Sequence, residues 1–476
     1  MKLLFLAHRI PYPPNKGDKI RSHHELRALV ERGHEVHLLA FADDSHDLHY
    51  QIDLGRLCAS VRIIRLRKVW AKLRALFTLL SSRPLSLGYF DSWKMRRLVK
   101  RALKQQCFDA VFVFSSSMAQ YIPPEWRSRT VVDLVDVDSE KWREYAARTS
   151  PPQSWIYSLE ARRLRAFEYE IVAGFANSIL TTSREADLLT ELDEFTRRAR
   201  LRILTMGVDA NYYQPVRSGK PGSVIALRPV NDGAKFAEPI HRRGAKNAEE
   251  AQSERQNLCA PSAELRASAV KKSHDSVFSS SALGSTRLVF VGAMDYFANV
   301  EAVQWFVAEV FPLIRHQEPL TEFVIVGSNP TAAVKKLAEQ PGVKVTGTVA
   351  DVRPYLREAT LCVIPLRIAR GVQTKMLEAM ACGKAIVATS DAAAGLRLAH
   401  DDQALLADSS SEFASTVIEL IRNQELRERL GEQARRFVEM EHDWKPLLQK
   451  LTDLLEAVGQ RRAPTKTKNI RAIARK

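Results

Sequence analysis

The sequence predicts an α/β protein of two Rossmann-like domains, each a doubly wound parallel sheet, facing one another across a cleft. Three observations carry this reading. Compact apolar runs alternate with amphipathic helical stretches from Lys2 to Leu204; the same rhythm restarts at Leu288 and continues to Thr389; and between them lies 216–285, rich in Ser, Ala, Lys, Arg, Glu and Gly and without periodicity. At 476 residues the chain has the length for two domains with sizeable cores.

Taken in order, 2–7 is a buried strand, 19–32 a helix, and Gly33-His34 a turn into a strand at 35–40. Further strands fall at 61–66, 110–114, 131–134, 178–182 and 202–204, with helices between them. The second rhythm places strands at 288–292, 323–327, 343–346, 361–365 and 385–389, and closing helices at 412–422, 426–441 and 447–458. The domain limits expected are 1–207, a linker at 208–285, 286–440, a crossover helix at 441–460 and a basic tail at 461–476. A segment as long as 216–285 without a hydrophobic pattern reads as a disordered insertion in the linker, or as one carrying a regulatory helix around 249–270.

Composition narrows the class. A hydrophobic fraction of 45% and a charged fraction of 26% fit a globular protein in water. The apolar runs fall short of the roughly 20 residues that cross a bilayer, and the apolar start is too short for a signal peptide, so a cytoplasmic location is expected. Cysteines 58, 107, 259, 362 and 382 form no Cys-x-x-Cys pair, which argues for reduced thiols and against zinc or a disulfide framework. The net charge of +16 is unevenly placed, with fourteen Lys/Arg against the single acid Asp91 between Arg56 and Lys104. Within that stretch 69–80 reads as a basic amphipathic helix, either attached to anionic lipid headgroups at the inner membrane face or simply a solvated surface. No recognised nucleic-acid motif accompanies the charge, so nucleic acid is not expected as a partner.

The most informative stretch is 369–389, Ala-Arg-Gly-Val-Gln-Thr-Lys-Met-Leu-Glu-Ala-Met-Ala-Cys-Gly-Lys-Ala-Ile-Val-Ala-Thr. It reads as a loop at a strand's carboxyl end, where open α/β sheets bind ligands, followed by a short helix from Thr374 and a strand. Gly383 stands where a left-handed C-cap is expected. Free N–H groups at Val372, Gln373 and Thr374, the small Gly371, and the charges of Arg370 and Lys375 compose an anion site. Glu378, one turn inside the helix, can accept hydrogen bonds from a vicinal diol. Phosphate beside ribose specifies a nucleotide.

This stretch resembles the donor-binding signature of retaining glycosyltransferases of the GT-B fold, glycosyltransferase family 4. Within that family it is similar to the sugar transferases associated with exosortase (PEP-CTERM) exopolysaccharide systems, as are Arg9-Ile10-Pro11-Tyr12-Pro13-Pro14, Val135-Asp136-Val137-Asp138-Ser139-Glu140-Lys141-Trp142, Gly292-Ala293-Met294-Asp295-Tyr296 and Asp351-Val352-Arg353-Pro354-Tyr355-Leu356. The resemblance implies an N-terminal acceptor domain and a C-terminal nucleotide-sugar domain, and transfer of a sugar from a nucleoside diphosphate to a lipid-linked or polysaccharide hydroxyl, with no cofactor besides the nucleotide sugar. Glu378 matches the second glutamate of the family's Glu-x7-Glu pair, and the first falls on Arg370. The Arg and Lys that usually neutralise the diphosphate are missing from 293–299, which leaves Arg367, Arg370 and Lys375 as the substitutes nearest in sequence.

Other positions carry two readings each. Gly17, in the turn-rich loop after the first strand, faces the donor in this family or is an ordinary loop glycine. Gly347 and Val349, after another strand, hold the nucleotide base or form a simple turn. Asp136 is the candidate carboxylate for the acceptor hydroxyl; if its strand continues, Asp136 and Asp138 share one face and Asp133 the other. Helix capping by Asp138 or Ser139 is the alternative. Asp136, Arg370 and Lys375 are thus the candidates for the reacting centre. Asp136-Val137-Asp138 lies in the N-terminal half, so it is not placed to chelate the diphosphate, and no metal is expected. His8, His23 and His24 have no aspartate at a spacing that orients them as a base. Two rivals share the fold: a nucleotide-sugar epimerase, and an inactive interaction protein, which the Arg370 departure suggests.

Overall fold

The structure is a computed structural model describing residues 1–14, 16–42, 44–189, 199–215, 286–398 and 400–460; the expected insertion at 216–285 and the tail at 461–476 lie outside the described residues. Seven strands form the first sheet: β1 (Lys2–Ala7), β2 (Glu35–Ala42), β3 (Ser60–Arg65), β4 (Ala110–Phe114), β5 (Thr130–Val135), β6 (Asn177–Leu180) and β7 (Leu201–Ile203). Six form the second: β8 (Arg287–Val291), β9 (Glu322–Val326), β10 (Val343–Gly347), β11 (Leu361–Ile364), β12 (Ile386–Ala388) and β13 (Leu405–Leu406). The orders are β3-β2-β1-β4-β5-β6-β7 and β10-β9-β8-β11-β12-β13, with every named pair parallel.

The central strands are continuous apolar runs because helices cover both faces. Leu3, Phe5 and Ala7 of β1 enter one core and Leu4 and Leu6 the other, as the two-residue period of a strand requires. The order of each sheet reverses beside its first strand, between β1 and β4 and between β8 and β11, which opens a crevice at the carboxyl ends of those strands.

Helix Phe297–Gln317 is apolar and long enough to cross a membrane by length and composition, contrary to the expectation that the apolar runs fall short. Its composition has another cause: Ala302, Val303, Phe306, Val310 and Ile314 are buried in the core of the second sheet. The last helix, Trp444–Gly459, buries Leu447, Leu451, Leu455 and Val458 and ends with Gly459 against Met1 and Asp109 of the first half. Just before it the chain runs beside 206–208: His442 Nδ1 donates to Met206 O at 2.7 Å, and Val208 N to His442 O at 2.9 Å.

Candidate functional site: the crevice between the two sheets

The loop after β11 and the helix Thr374–Ala381 form one wall of the crevice. The helix closes as the sequence predicts: Gly383 has φ +67°, its N–H reaches Met380 O, and Lys384 N reaches Ala379 O, the paired bonds of a Schellman cap. At the other end Gln373 provides no side-chain cap, and its amide instead donates to Arg370 O at 2.9 Å, tying the loop into a closed turn. Gly371 has φ +59°, and a Cβ there would collide with the Asp136 carboxylate. A Cβ at Gly395 would collide with Gly371 O, so the loop backbone is held between Gly395 and Asp136.

Asp136 reaches the loop because β5 stops abruptly. Val135 takes φ +69°, a left-handed conformation costly for a β-branched residue. Asp133 holds it there by accepting from Val135 N at 2.9 Å, while its other oxygen binds Arg21 Nε at 2.7 Å. Arg21 is wholly buried, donates to Leu204 O and Thr205 O, and also meets Glu25 at 3.1 Å. Burial, and then the Asp133 charge, raise the Glu25 carboxyl well above its ordinary range. The strand therefore stops at Val135, and the condition under which Asp136 and Asp138 would share one strand face is not met. Asp136 accepts from Thr181 Oγ at 2.8 Å, and burial raises its carboxyl. Asp138 opens the helix Asp138–Ala147, and neither it nor Ser139 caps it: Ser139 gives its N–H and hydroxyl to Glu168.

On the helix, Lys375 Nζ donates to Asn299 Oδ1 at 2.5 Å and lies 4.8 Å from the centre of the Phe290 ring; burial pushes it down to about 7. Burial pushes Glu378 up to about 7, and the Tyr213 hydroxyl hydrogen-bonds it. Arg370 sits among three carboxylates of the first half, 2.6 Å from Glu144, 3.9 Å from Glu185 and 4.0 Å from Glu140. Glu185, which accepts from Val137 N, is pushed up to about 7, first by burial and then by the Asp136 charge. Arg367 forks onto Glu301 and covers the Trp305 ring at 5.0 Å, while its carbonyl accepts from Arg148. Of the three cations expected at the diphosphate, Arg367 and Arg370 are thus engaged by carboxylates and Lys375 by a neutral amide.

Gly17 begins the helix Gly17–Glu31, and a Cβ there would lie 3.9 Å from Thr374 Cγ2, so the loop after β1 faces the start of the helix Thr374–Ala381. Val372 and Thr374 are partly buried beside it. Gly347, φ +71°, ends β10 in open space, and Val349 packs on the core. Nearby, the Arg353 guanidinium lies 3.7 Å from the Tyr212 ring centre and pairs with Asp351. Tyr212 and Tyr213, Asn299, and Glu144 with Glu185 escaped the sequence reading, because each acts across a long separation without a motif. His8 is a correction: Asp18 pairs with its Nε2 at 3.3 Å, across the loop rather than at a motif spacing. His24 stacks on Trp444 and His23 packs near Tyr12, and burial pushes both down to about 4.

Away from the crevice, helix Lys68–Phe77 leaves Val69, Trp70, Leu73, Leu76 and Phe77 exposed, with Leu80 beyond it 89% exposed; of the helix only Ala71 is buried.

Two parallel sheets with their carboxyl edges turned to a shared crevice, joined by a returning final helix, define the GT-B fold. Residues 285–423 match the family of glycosyl transferases group 1. Solved structures share the fold over nearly the whole chain. Sucrose-phosphate synthase from Thermosynechococcus elongatus aligns with TM-score 0.62 at 15% identity over 96% of this chain and 99% of that one. The Anabaena protein HepE, in complex with UDP and glucose, aligns with TM-score 0.59 at 14% identity over 96% and 100%. WaaG, a glycosyltransferase involved in lipopolysaccharide biosynthesis, aligns with TM-score 0.56 at 14% identity over 95% and 99%. No curated protein matches the sequence.

Proposed function

We propose that this protein is a retaining glycosyltransferase that moves a sugar from a nucleoside diphosphate to a hydroxyl acceptor in exopolysaccharide assembly, at the inner face of the membrane. The observation that carries the reading is Glu378 on the helix Thr374–Ala381, one turn from Lys375, behind a loop whose backbone is pressed against Asp136. Glu378 accepts the ribose hydroxyls, with Tyr213 holding its carboxylate in place. Lys375 and the N–H groups of 372–374 receive the diphosphate as it departs. Asp136 receives the acceptor hydroxyl from the opposite wall. The uridine nucleotide bound by HepE is the natural first probe.

The test is calorimetric titration with UDP, followed by measurement of UDP release from a UDP-sugar with and without membranes. Release only in their presence supports transfer; release or isomerisation without an acceptor supports the epimerase, and no binding an inactive protein. Glu378→Ala should weaken nucleotide binding at least tenfold with the fold intact, since each charge-assisted hydrogen bond contributes about 1.5–3 kcal/mol. Unchanged affinity would remove Glu378 from the site.

A further inference from the structure

The charge between Arg56 and Lys104 is not spread evenly over the surface. At the carboxyl ends of β2 and β3 the chain forms an open cleft of about 690 Å³, walled by Arg65, Arg67 and Lys68 with Asp44 and Ser45 on the β2 side. The lining has three cations against one carboxylate. Among the described residues, none of the three cations has an acidic partner. Trp70 and Val69 form the rim, 60% and 71% exposed, and from there the exposed Leu73, Leu76, Phe77 and Leu80 continue along the helix Lys68–Phe77. Free cations in a concave site select an anion, and three together favour the multiple charge of a phosphate. A contiguous exposed apolar face marks an interaction site, and here it starts at the mouth of the anion site. One ligand satisfies both at once: an amphiphile with a phosphate between its polar head and its chain.

The cleft's place in the sheet says what the head does. It opens on the same carboxyl edge as the crevice, and β3 lies two strands from β1. At roughly 4.8 Å per strand that is about 10 Å to the loop carrying Gly17, and about 19 Å to the end of β5 near Asp136, spans that a short saccharide bridges. We propose that this cleft is the phosphate subsite of the acceptor. It takes a lipid phosphate whose saccharide points to the crevice and whose chain leaves along the apolar face of the helix Lys68–Phe77. The proposal rests on the glycosyltransferase reading and names its acceptor as a phosphate-bearing lipid.

The probe is a medium-chain alkyl phosphate below its micelle concentration, titrated into the full chain beside three controls: the matching alcohol, inorganic phosphate and anionic vesicles. The alkyl phosphate should bind at least tenfold more tightly than the alcohol or inorganic phosphate. Arg67→Gln with Lys68→Gln should lose at least tenfold, and Trp70→Ala several-fold, with UDP affinity unchanged in both. Equal binding of the alcohol or of inorganic phosphate, unchanged binding by the variants, or binding to vesicles but not to the monomeric phosphate would overturn the subsite. Nucleotide titration of the same samples keeps the two readings apart. Failure of UDP, GDP, ADP and dTDP alike to bind sinks the glycosyltransferase reading, whereas intact nucleotide binding without alkyl phosphate binding sinks only the acceptor subsite.

Discussion

Cations line both the crevice and the rim beyond β3, but they do different things. In the crevice, Arg370 is set among Glu140, Glu144 and Glu185, Arg367 is forked onto Glu301, and Lys375 is bonded to Asn299. At the rim, Arg65, Arg67 and Lys68 are exposed and have no acidic partner among the described residues. Burial accounts for Arg370, since a cation withdrawn from water costs several kcal/mol unless a carboxylate meets it, and for Lys375, which burial lowers to about 7; Arg367, 44% exposed, keeps its hydration as the rim cations do. Arg370 therefore fixes how the two halves meet, while the rim cations are left for a ligand. Net charge on its own separates neither case from the other.

The largest expected effect breaks the crevice side of that contrast. Arg370→Glu would restore the Glu-x7-Glu spelling of the glycosyltransferases this stretch resembles yet place a fourth carboxylate among three, leaving Glu144 and Glu185 without their arginine while Glu140 keeps Arg143 and Arg165. A loss of about 3–5 kcal/mol follows, visible as a lower thermal midpoint together with reduced turnover. Arg370→Lys should fall between, since it keeps the charge and loses the fork. A Glu variant as stable and active as the parent would refute the assignment of Arg370 to the junction.

An intermediate effect sharpens the electrostatics of the same cage. The folded Glu185 holds its proton up to about pH 7, well above an unfolded glutamate. Its contribution is complete below about pH 4.3, the unfolded value, and is lost as pH rises through about 7. Glu185→Gln cannot ionise, so its stability relative to the parent should grow between about pH 5 and 8, by at most about 1.4 kcal/mol per pH unit. Urea midpoints at the two pH values measure this, and a difference that stays flat would mean the carboxyl is already ionised in the folded protein. The smallest effect tests the rim: neutralising Lys72 and Arg74 should weaken sedimentation with anionic vesicles by about 1 kcal/mol per charge, fading with salt. Undiminished pelleting would leave this helix face an ordinary solvated surface.

What the sequence disclosed and what it withheld divides along physical lines. β1 and β4 were legible because strands covered on both faces must be apolar throughout, and the helix Thr374–Ala381 because its formers and Gly383 are local signals. β13 was not, since two residues carry no pattern. Val135 gave no warning either. A β-branched residue in the left-handed region is held by Asp133, itself fixed by Arg21, 112 positions away. Arg370 was noticed as a departure, but its partner Glu144 lies 226 positions away on the other half, a pairing that only the docking of the two sheets creates.

Lys375 and Glu378, one turn apart, both exchange their proton near neutrality. Below about pH 7 the pair tends to carry both protons and one positive charge, and above it neither proton and one negative charge. On the proposed glycosyltransferase reading a diphosphate favours the first condition and a ribose diol the second, so donor capture would take up a proton on the alkaline side and release one on the acid side. On that reading donor affinity would be greatest close to neutral pH, where the two halves of the nucleotide make opposite and balancing demands on one buffering couple.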